Sequence, residues 1–303
     1  MGGWFQGWYF KHCAGGRVFS LIPGEAEDAL GRKTAFLQVI SSEGSHFFRF
    51  PHREYRADPE HCVIRLGDSF FSRSGIRLSI HRHGADLEGA VAYSNPQPIR
   101  RTRLCPTAMG PLAYLPLLEC RHDVVSLSHG LSGSLTVNGE FIAFDEGIGY
   151  IEKDAGRSFP EAWVWYQCCG FECRGDSAMI AAASVRLGAL RFPGLLCIFR
   201  AAGEEHRLAT YLGGRVSLLE KRGERVFFEA RQRDYRLRLR VAPSEGQHLL
   251  APALGDMRRS IIEYPCCDSR ILLTKGERVL LAGTGGCAGF EWSALQQQIG
   301  KSL

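Results

Sequence analysis

Residues 149–165, GYIEKDAGRSFPEAWVW, bring Glu152 and Asp154, Lys153 and Arg157, and Trp163 and Trp165 into one short stretch. In an extended strand Tyr150, Glu152 and Asp154 share one face, and Ile151 and Lys153 share the other. Two carboxylates on one face repel when both are ionised. Inside an apolar pocket desolvation adds to that repulsion and lifts the pKa of at least one of them. A carboxylic acid that keeps its proton near neutral pH is a general acid. On a solvated rim the same acids would be surface charges paired to Arg157, and spacing alone favours that reading; the aromatic stretch that follows shifts the balance toward the buried acid. Downstream, Gly156 permits a turn and the Phe159-Pro160 step makes residue 159 extended. Trp163 and Trp165 then fall on one strand face, with Val164 and Tyr166 on the other. An indole beside a buried acid would steady a developing carbocation. Two tryptophans at this spacing are equally a device of core packing.

Two further clusters carry reactive or aromatic groups. In WFQGWYFKH (4–12), Trp8 and Phe10 share a face and Tyr9 and Lys11 share the opposite one. Such a strand lines an apolar cavity or buries itself in a barrel core. In MGPLAYLPLLECRHDVVSLSH (109–129), Glu119 follows an apolar run, which predicts partial burial, and His122 and His129 lie close together. His81 and His83 have a spacing that could hold a metal on a strand, but they abut Gly84, where a solvated hairpin tip is expected. There is no Walker loop, no GxGxxG opening a helix, no GxSxG and no HExxH. The expectation is chemistry with no cofactor and no metal.

The elements that must position these residues read as strands. Arg236, Arg238 and Arg240 alternate with Leu237, Leu239 and Val241, and Ile76, Leu78 and Ile80 alternate with Arg77, Ser79 and His81. That period of two is the strand period. Asn138-Gly139 between LSGSLTV and EFIAF is a strong hairpin signal. Lys221–Glu224 and Lys275–Glu277 separate two more strand pairs. The segment Pro106–Leu118 contains Pro111 and Pro116 and reads as an irregular apolar connection. A short C-terminal helix is expected at Ser293–Gly300. The fold class is all-β. So many antiparallel strands need closure or face-to-face packing to hide their edges. At 303 residues, two barrel or sandwich units are expected, 1–148 and 149–303, with a seam near residues 145–150.

Composition narrows the function classes. The net charge of +5 is dispersed, which argues against a nucleic-acid binder. No apolar run has the form of a signal peptide or a membrane span; the best candidate, Ala178–Phe199, contains Arg186, Arg191 and Pro193. The chain reads as a soluble cytoplasmic protein. Its eleven cysteines are odd in number and include no CxxC, so reduced thiols are expected.

These residues carry a family resemblance. GWYFKH (7–12), MGPLAYLPLLEC (109–120), HGLSGSLTVNGE (129–140), GYIEKDAGRSFPEAWVW (149–165), LATYLGG (208–214), LLAPALGDM and GFEW recur in family order over nearly the whole chain. The chain resembles the tocopherol cyclase family, within a broader group that includes carotenoid hydratase-like and AttH-like lipocalin-type proteins. The resemblance implies two lipocalin-like units with a ligand cleft in or between them. It also implies cofactor-free cyclisation of a prenylated phenol to a chromanol, an isomerisation. Glu152 and Asp154 would be the acids. Lys153 or Arg157 would position them or hold the phenolate. Trp8, Trp163 and Trp165 would shield the cation; Phe10, Tyr150, Glu119 and His122 complete the expected substrate site. The family usually has a tryptophan where this chain has Ala155, often a glutamate where it has Gln6, and an asparagine where it has Cys169. The partner class is a hydrophobic small molecule. Alkene hydration, or binding of such a molecule without turnover, are the alternatives.

Overall fold

The computed structural model describes residues 2–293 apart from His83, Leu117 and Arg174. The expected helix at Ser293–Gly300 and half of the His81/His83 pair therefore fall outside the described residues. The first sheet is built from β1 (Trp4–Ala14), β2 (Arg17–Glu27), β3 (Lys33–Ser41), β4 (Gly44–Pro51), β5 (Tyr55–Asp58), β6 (Val63–Leu66), β7 (Ser69–Ser72), β8 (Gly75–Arg82), β9 (Ala85–Ser94), β10 (Cys120–Val137), β11 (Glu140–Ala143) and β12 (Ile148–Gly156). The second is built from β13 (Trp163–Cys168), β14 (Ser177–Leu187), β15 (Leu190–Ala201), β16 (Glu204–Ala209), β17 (Arg215–Arg222), β18 (Arg225–Gln232), β19 (Tyr235–Ala242), β20 (Gln247–Ala253), β21 (Asp256–Lys275) and β22 (Arg278–Trp292). Every strand pairing is antiparallel. The helical segments among the described residues are short 3-10 turns, one of them Gly110–Tyr114 in the irregular connection. None is long and apolar enough to cross a membrane.

The first sheet runs β4-β3-β2-β1-β12-β10-β9-β8-β7-β6-β5, with β11 on β10. The second runs β16-β15-β14-β13-β22-β21-β19-β18-β17, with β20 on β21. Neither path closes on itself. Each sheet nevertheless rolls around one core, because strands from its two ends meet there. Leu37 of β3 and Phe50 of β4 share a cluster with Tyr55 of β5 and Phe71 of β7. Phe199 of β15 and Leu208 of β16 share another with Val216 of β17 and Phe228 of β18. Sheet twist accounts for the rolling. A third cluster, which includes Tyr9, Tyr150, Trp163, Trp165 and Ile198, lies between the two rolled sheets. The Asn138-Gly139 hairpin is as expected: both residues have positive φ (+51° and +84°), the geometry of a two-residue turn between Val137 and Glu140.

The seam does not lie at 145–150. The strand Ile148–Gly156 sits inside the first sheet, hydrogen-bonded to β1 on one side and β10 on the other. The second sheet begins at Trp163, so residues 157–162 make the crossing. Gly149 marks close packing and not a linker. A Cβ there would lie 2.3 Å from the His129 ring nitrogen.

Candidate active site

Strand alternation sorts the sequence candidates into two sets. On β12, Ile151 belongs to the first core and Lys153 lies on the same face, while Tyr150, Glu152 and Asp154 turn toward the second sheet. On β13, Val164 and Tyr166 fill the second core, whereas Trp163 and Trp165 turn back toward the first sheet. The opposed faces enclose a cavity of about 1330 Å³ of atom-free space, its mouth included. Its walls are mainly apolar: Phe5, Phe36, Phe159, Trp163 and Trp165 among the aromatics, with Ile22, Leu196 and Met257. The polar groups are few and include His122, Glu152, Asp154 and Glu291.

Glu152 is 5% exposed. Its Oε2 accepts a hydrogen bond from the Tyr150 hydroxyl at 2.5 Å and another from the Trp165 indole N–H at 3.1 Å. Burial pushes its pKa up to about 7 and the neighbouring Asp154 carboxylate adds to the rise; the His122 charge and the two hydrogen bonds oppose it without cancelling it. His122 comes from β10, where it pairs in register with Asp154 of β12. Its Nδ1 lies 3.0 Å from Asp154 Oδ1, and its Nε2 lies 3.6 Å from Glu152 Oε2. Burial works against a charge on His122, but the Glu152 and Asp154 carboxylates outweigh it and raise the imidazole to about 9. The His122 imidazolium, with Asp154 at its Nδ1, therefore sits beside a carboxyl that titrates near neutrality. The ligand atoms of His122, Glu152 and Asp154 lie within 4.8 Å of one another. They could hold a divalent cation only after His122 gives up its proton, since an imidazole ligates in the neutral form.

A second polar group lies beside the first. The Tyr9 hydroxyl donates to Glu263 Oε1 at 2.6 Å and accepts from Ser20 Oγ at 3.0 Å. The Trp163 indole N–H donates to Glu291 Oε2 at 2.7 Å. Glu263 and Glu291 are register partners on β21 and β22. Burial raises Glu263 to about 7, and burial together with the Glu263 charge drives Glu291 well above the usual carboxylate range. Each tryptophan of the WVW strand thus holds one protonatable carboxyl against an apolar cavity.

The structure brings Glu152, Asp154, His122, Trp163 and Trp165 together, with Tyr150 behind Glu152. The other candidates lie elsewhere. Trp8 and Phe10 are fully buried in the first core, on the face of β1 turned away from the cavity. Lys153 shares that side: its Nζ is 4.5 Å from the centre of the Trp8 ring. Arg157 does not line the cavity; its guanidinium packs where a Cβ on Gly2 would be. Glu119 accepts the backbone N–H of Arg186 at 3.0 Å, outside the cavity wall. Tyr9, Glu263 and Glu291 were not among the sequence candidates. Tyr9 lay on the unchosen face of WFQGWYFKH, Glu291 lay inside the quoted GFEW, and no pattern pointed to Glu263. The departures at Gln6 and Ala155 are register partners on β1 and β12, and neither lines the cavity. The Gln6 side-chain amide donates to Glu25 Oε1 at 2.6 Å.

A family model described as tocopherol cyclase-like matches residues 82–258, more than half of the chain. The chain belongs to the tocopherol cyclase-like family. A probable chloroplastic tocopherol cyclase of Oryza sativa subsp. japonica is 37% identical over 79 residues, which are 25% of this chain and 17% of that protein. The chloroplastic tocopherol cyclase of Zea mays is 35% identical over 79 residues, 25% of this chain and 16% of that one. The match thus spans well under a fifth of either plant protein. Among solved structures, kievitone hydratase from Nectria haematococca superposes with a TM-score of 0.53 at 12% identity, covering 96% of this chain and 89% of that one. CghA with Sch210972 gives 0.57 at 11% identity, covering 95% and 88%. At such identities the likeness is one of fold alone, and it covers both rolled sheets.

Proposed function

We propose that this tocopherol cyclase-like protein closes a chromanol-type ring on a prenylated phenol or hydroquinone without a cofactor, with Glu152 as the general acid. The proton of the Glu152 carboxyl moves to the less substituted carbon of a trisubstituted alkene, and the alkene π pair forms the new C–H bond. The tertiary cation that results lies among Trp163, Trp165 and Phe159, whose ring faces favour positive charge. The phenol oxygen then supplies the pair for the C–O bond. Its proton passes to the Asp154 carboxylate or back to Glu152, so substrate and product are isomers. The His122–Asp154 pair marks the end of the cavity suited to a phenolic hydroxyl, and the apolar walls suit a prenyl chain. The observation that carries the proposal is the buried Glu152 carboxyl, titrating near 7 inside an apolar, aromatic cavity.

The direct test is incubation of purified protein with a prenylated hydroquinone in metal-free buffer, followed by product analysis. A chromanol is expected. A tertiary alcohol would mean that water captures the cation, as in an alkene hydratase. A co-purifying ligand returned unchanged would identify a carrier and sink the catalytic reading. The pH profile is also specified. The acid works while protonated, so kcat is expected to hold below about pH 7 and to fall about tenfold per unit above it. In His122→Asn the imidazolium that holds Glu152 down is gone, so the same limb should move to higher pH. A limb that stays in place would show that His122 carries no charge beside the acid.

A further inference from the structure

Four cysteines that do not line the cavity lie close together. Cys13 closes β1 and Cys169 follows β13; Cys266 lies in β21 and Cys287 in β22. Cys13 and Cys287 line one surface hollow, and Cys266 and Cys287 each stand one residue before a member of the Cys267–Ala288 register pair that joins β21 to β22. All four are free. Cys13 and Cys169 are buried, whereas Cys266 and Cys287 are partly exposed. Cys287 lines a surface hollow whose wall is mostly small residues, Gly15, Gly16, Gly170 and Gly286 among them, with Ile148 and Glu146.

The backbone at Cys287 departs from ordinary strand geometry. Its φ is +55°, a region that residues with a side chain enter at a cost and that concentrates at functional positions. The β21–β22 ladder shifts register on both sides of Cys267. A bulge of this kind re-aims a side chain, and here it lies between the two strands that carry Cys266 and Cys287. Two contacts tie the pair to the first sheet. The buried Lys11 ammonium donates to the Cys287 carbonyl at 2.7 Å, and Cys266 Sγ approaches the Gly16 carbonyl at 3.9 Å.

We propose that Cys266 and Cys287 form a hydroperoxide-reactive dithiol, a covalent modification site separate from the cavity. The Cys266 thiolate attacks the terminal oxygen of a hydroperoxide. An S–O bond forms, the O–O bond breaks, and the departing alkoxide takes the Cys287 proton and leaves as an alcohol (water, for hydrogen peroxide). The Cys287 thiolate then attacks the Cys266 sulfur; the S–S bond forms and the S–O bond breaks. The expelled hydroxide takes a proton from solvent. The two sulfurs lose two electrons and the peroxide gains them, with no other reductant required. The groups facing Cys266 support the order of events. The neighbouring Cys287 thiol, and after it the Lys11 charge, pull the Cys266 thiol down to about 6 against burial and the Asp268 carboxylate. The Cys287 thiol is pushed up, so it keeps its proton until the first step is done. A low-pKa, accessible thiol beside a resolving thiol is the pattern that favours such oxidation.

The test uses the reduced full chain and dilute hydrogen peroxide, with unreacted thiols capped by N-ethylmaleimide and peptides mapped by mass spectrometry. A Cys266–Cys287 linkage is expected as the first modification, formed faster as pH rises through about 6. Cys287→Ser should stop at a Cys266 sulfenic acid that dimedone traps, and Cys266→Ser should leave Cys287 unmodified. Oxidation of the exposed Cys173 ahead of the pair, or a Cys13–Cys169 linkage in its place, would overturn the proposal. Because the first readout is made on the unaltered protein, a variant that misfolds does not blunt the test.

Discussion

Glu152→Gln is expected to lower turnover by about 10²–10⁴-fold, the usual contribution of a positioned general acid, while the protein melts close to its normal temperature. Glutamine keeps the shape of the side chain, and its carbonyl oxygen can still accept the Tyr150 hydroxyl and the Trp165 indole N–H, both of which point at Oε2. With Oε2 occupied by two donors, the proton of the neutral acid sits on Oε1, and the amide replaces that atom by a nitrogen with no acidic proton. Asp154→Asn removes the partner of His122 and one of the charges that raises Glu152, so a smaller loss with an altered pH limb is expected. The check is chromanol formation beside a thermal melt of each variant. Full activity in a well-folded Glu152→Gln protein would remove Glu152 from the acid role and leave Glu291 as the carboxyl to test next.

Trp8→Ala is expected to cost about 3–5 kcal/mol of stability, the range for truncating a buried aromatic. Trp8→Phe should leave both fold and turnover nearly intact. Trp8 is fully buried among first-core residues such as Phe10, Phe71 and Ile151. Its indole N–H is buried with no hydrogen-bond partner among the described residues, so phenylalanine gives up no bond there and relieves an unsatisfied donor. What phenylalanine loses is packing volume and part of the contact with the Lys153 ammonium. Denaturant unfolding of the two variants, with turnover measured in parallel, separates a core residue from a wall of the site. A Trp8→Phe protein of unchanged stability but greatly reduced turnover would return Trp8 to the catalytic surroundings.

The amino-acid sequence by itself determined that the protein is all-β, that Asn138-Gly139 makes a two-residue hairpin, and that Glu152 and Asp154 share a strand face, as do Trp163 and Trp165. Each follows from a local rule, the two-residue period of a strand or the φ demanded by a tight turn. The tertiary structure decided which face matters. On β1 both faces are buried, one in the first core and one against the second sheet. Alternation of polar and apolar residues fails on such a strand, because both sides are out of water. Trp8 therefore looked as good a cavity wall as Tyr9. The partners of the site are also non-local. Tyr9 meets Glu263 across 254 positions, and Trp163 meets Glu291 across 128. The seam was misplaced for the same reason: Ile148–Gly156 pairs not only with the nearby β10 but with β1 at the far end of the chain, a partner that no nearby residue signals. Local sequence sets the side on which a group stands. The packing of two rolled sheets decides whether that side is a core, a solvent face or a cavity, and with it whether a carboxyl there is an ion or an acid.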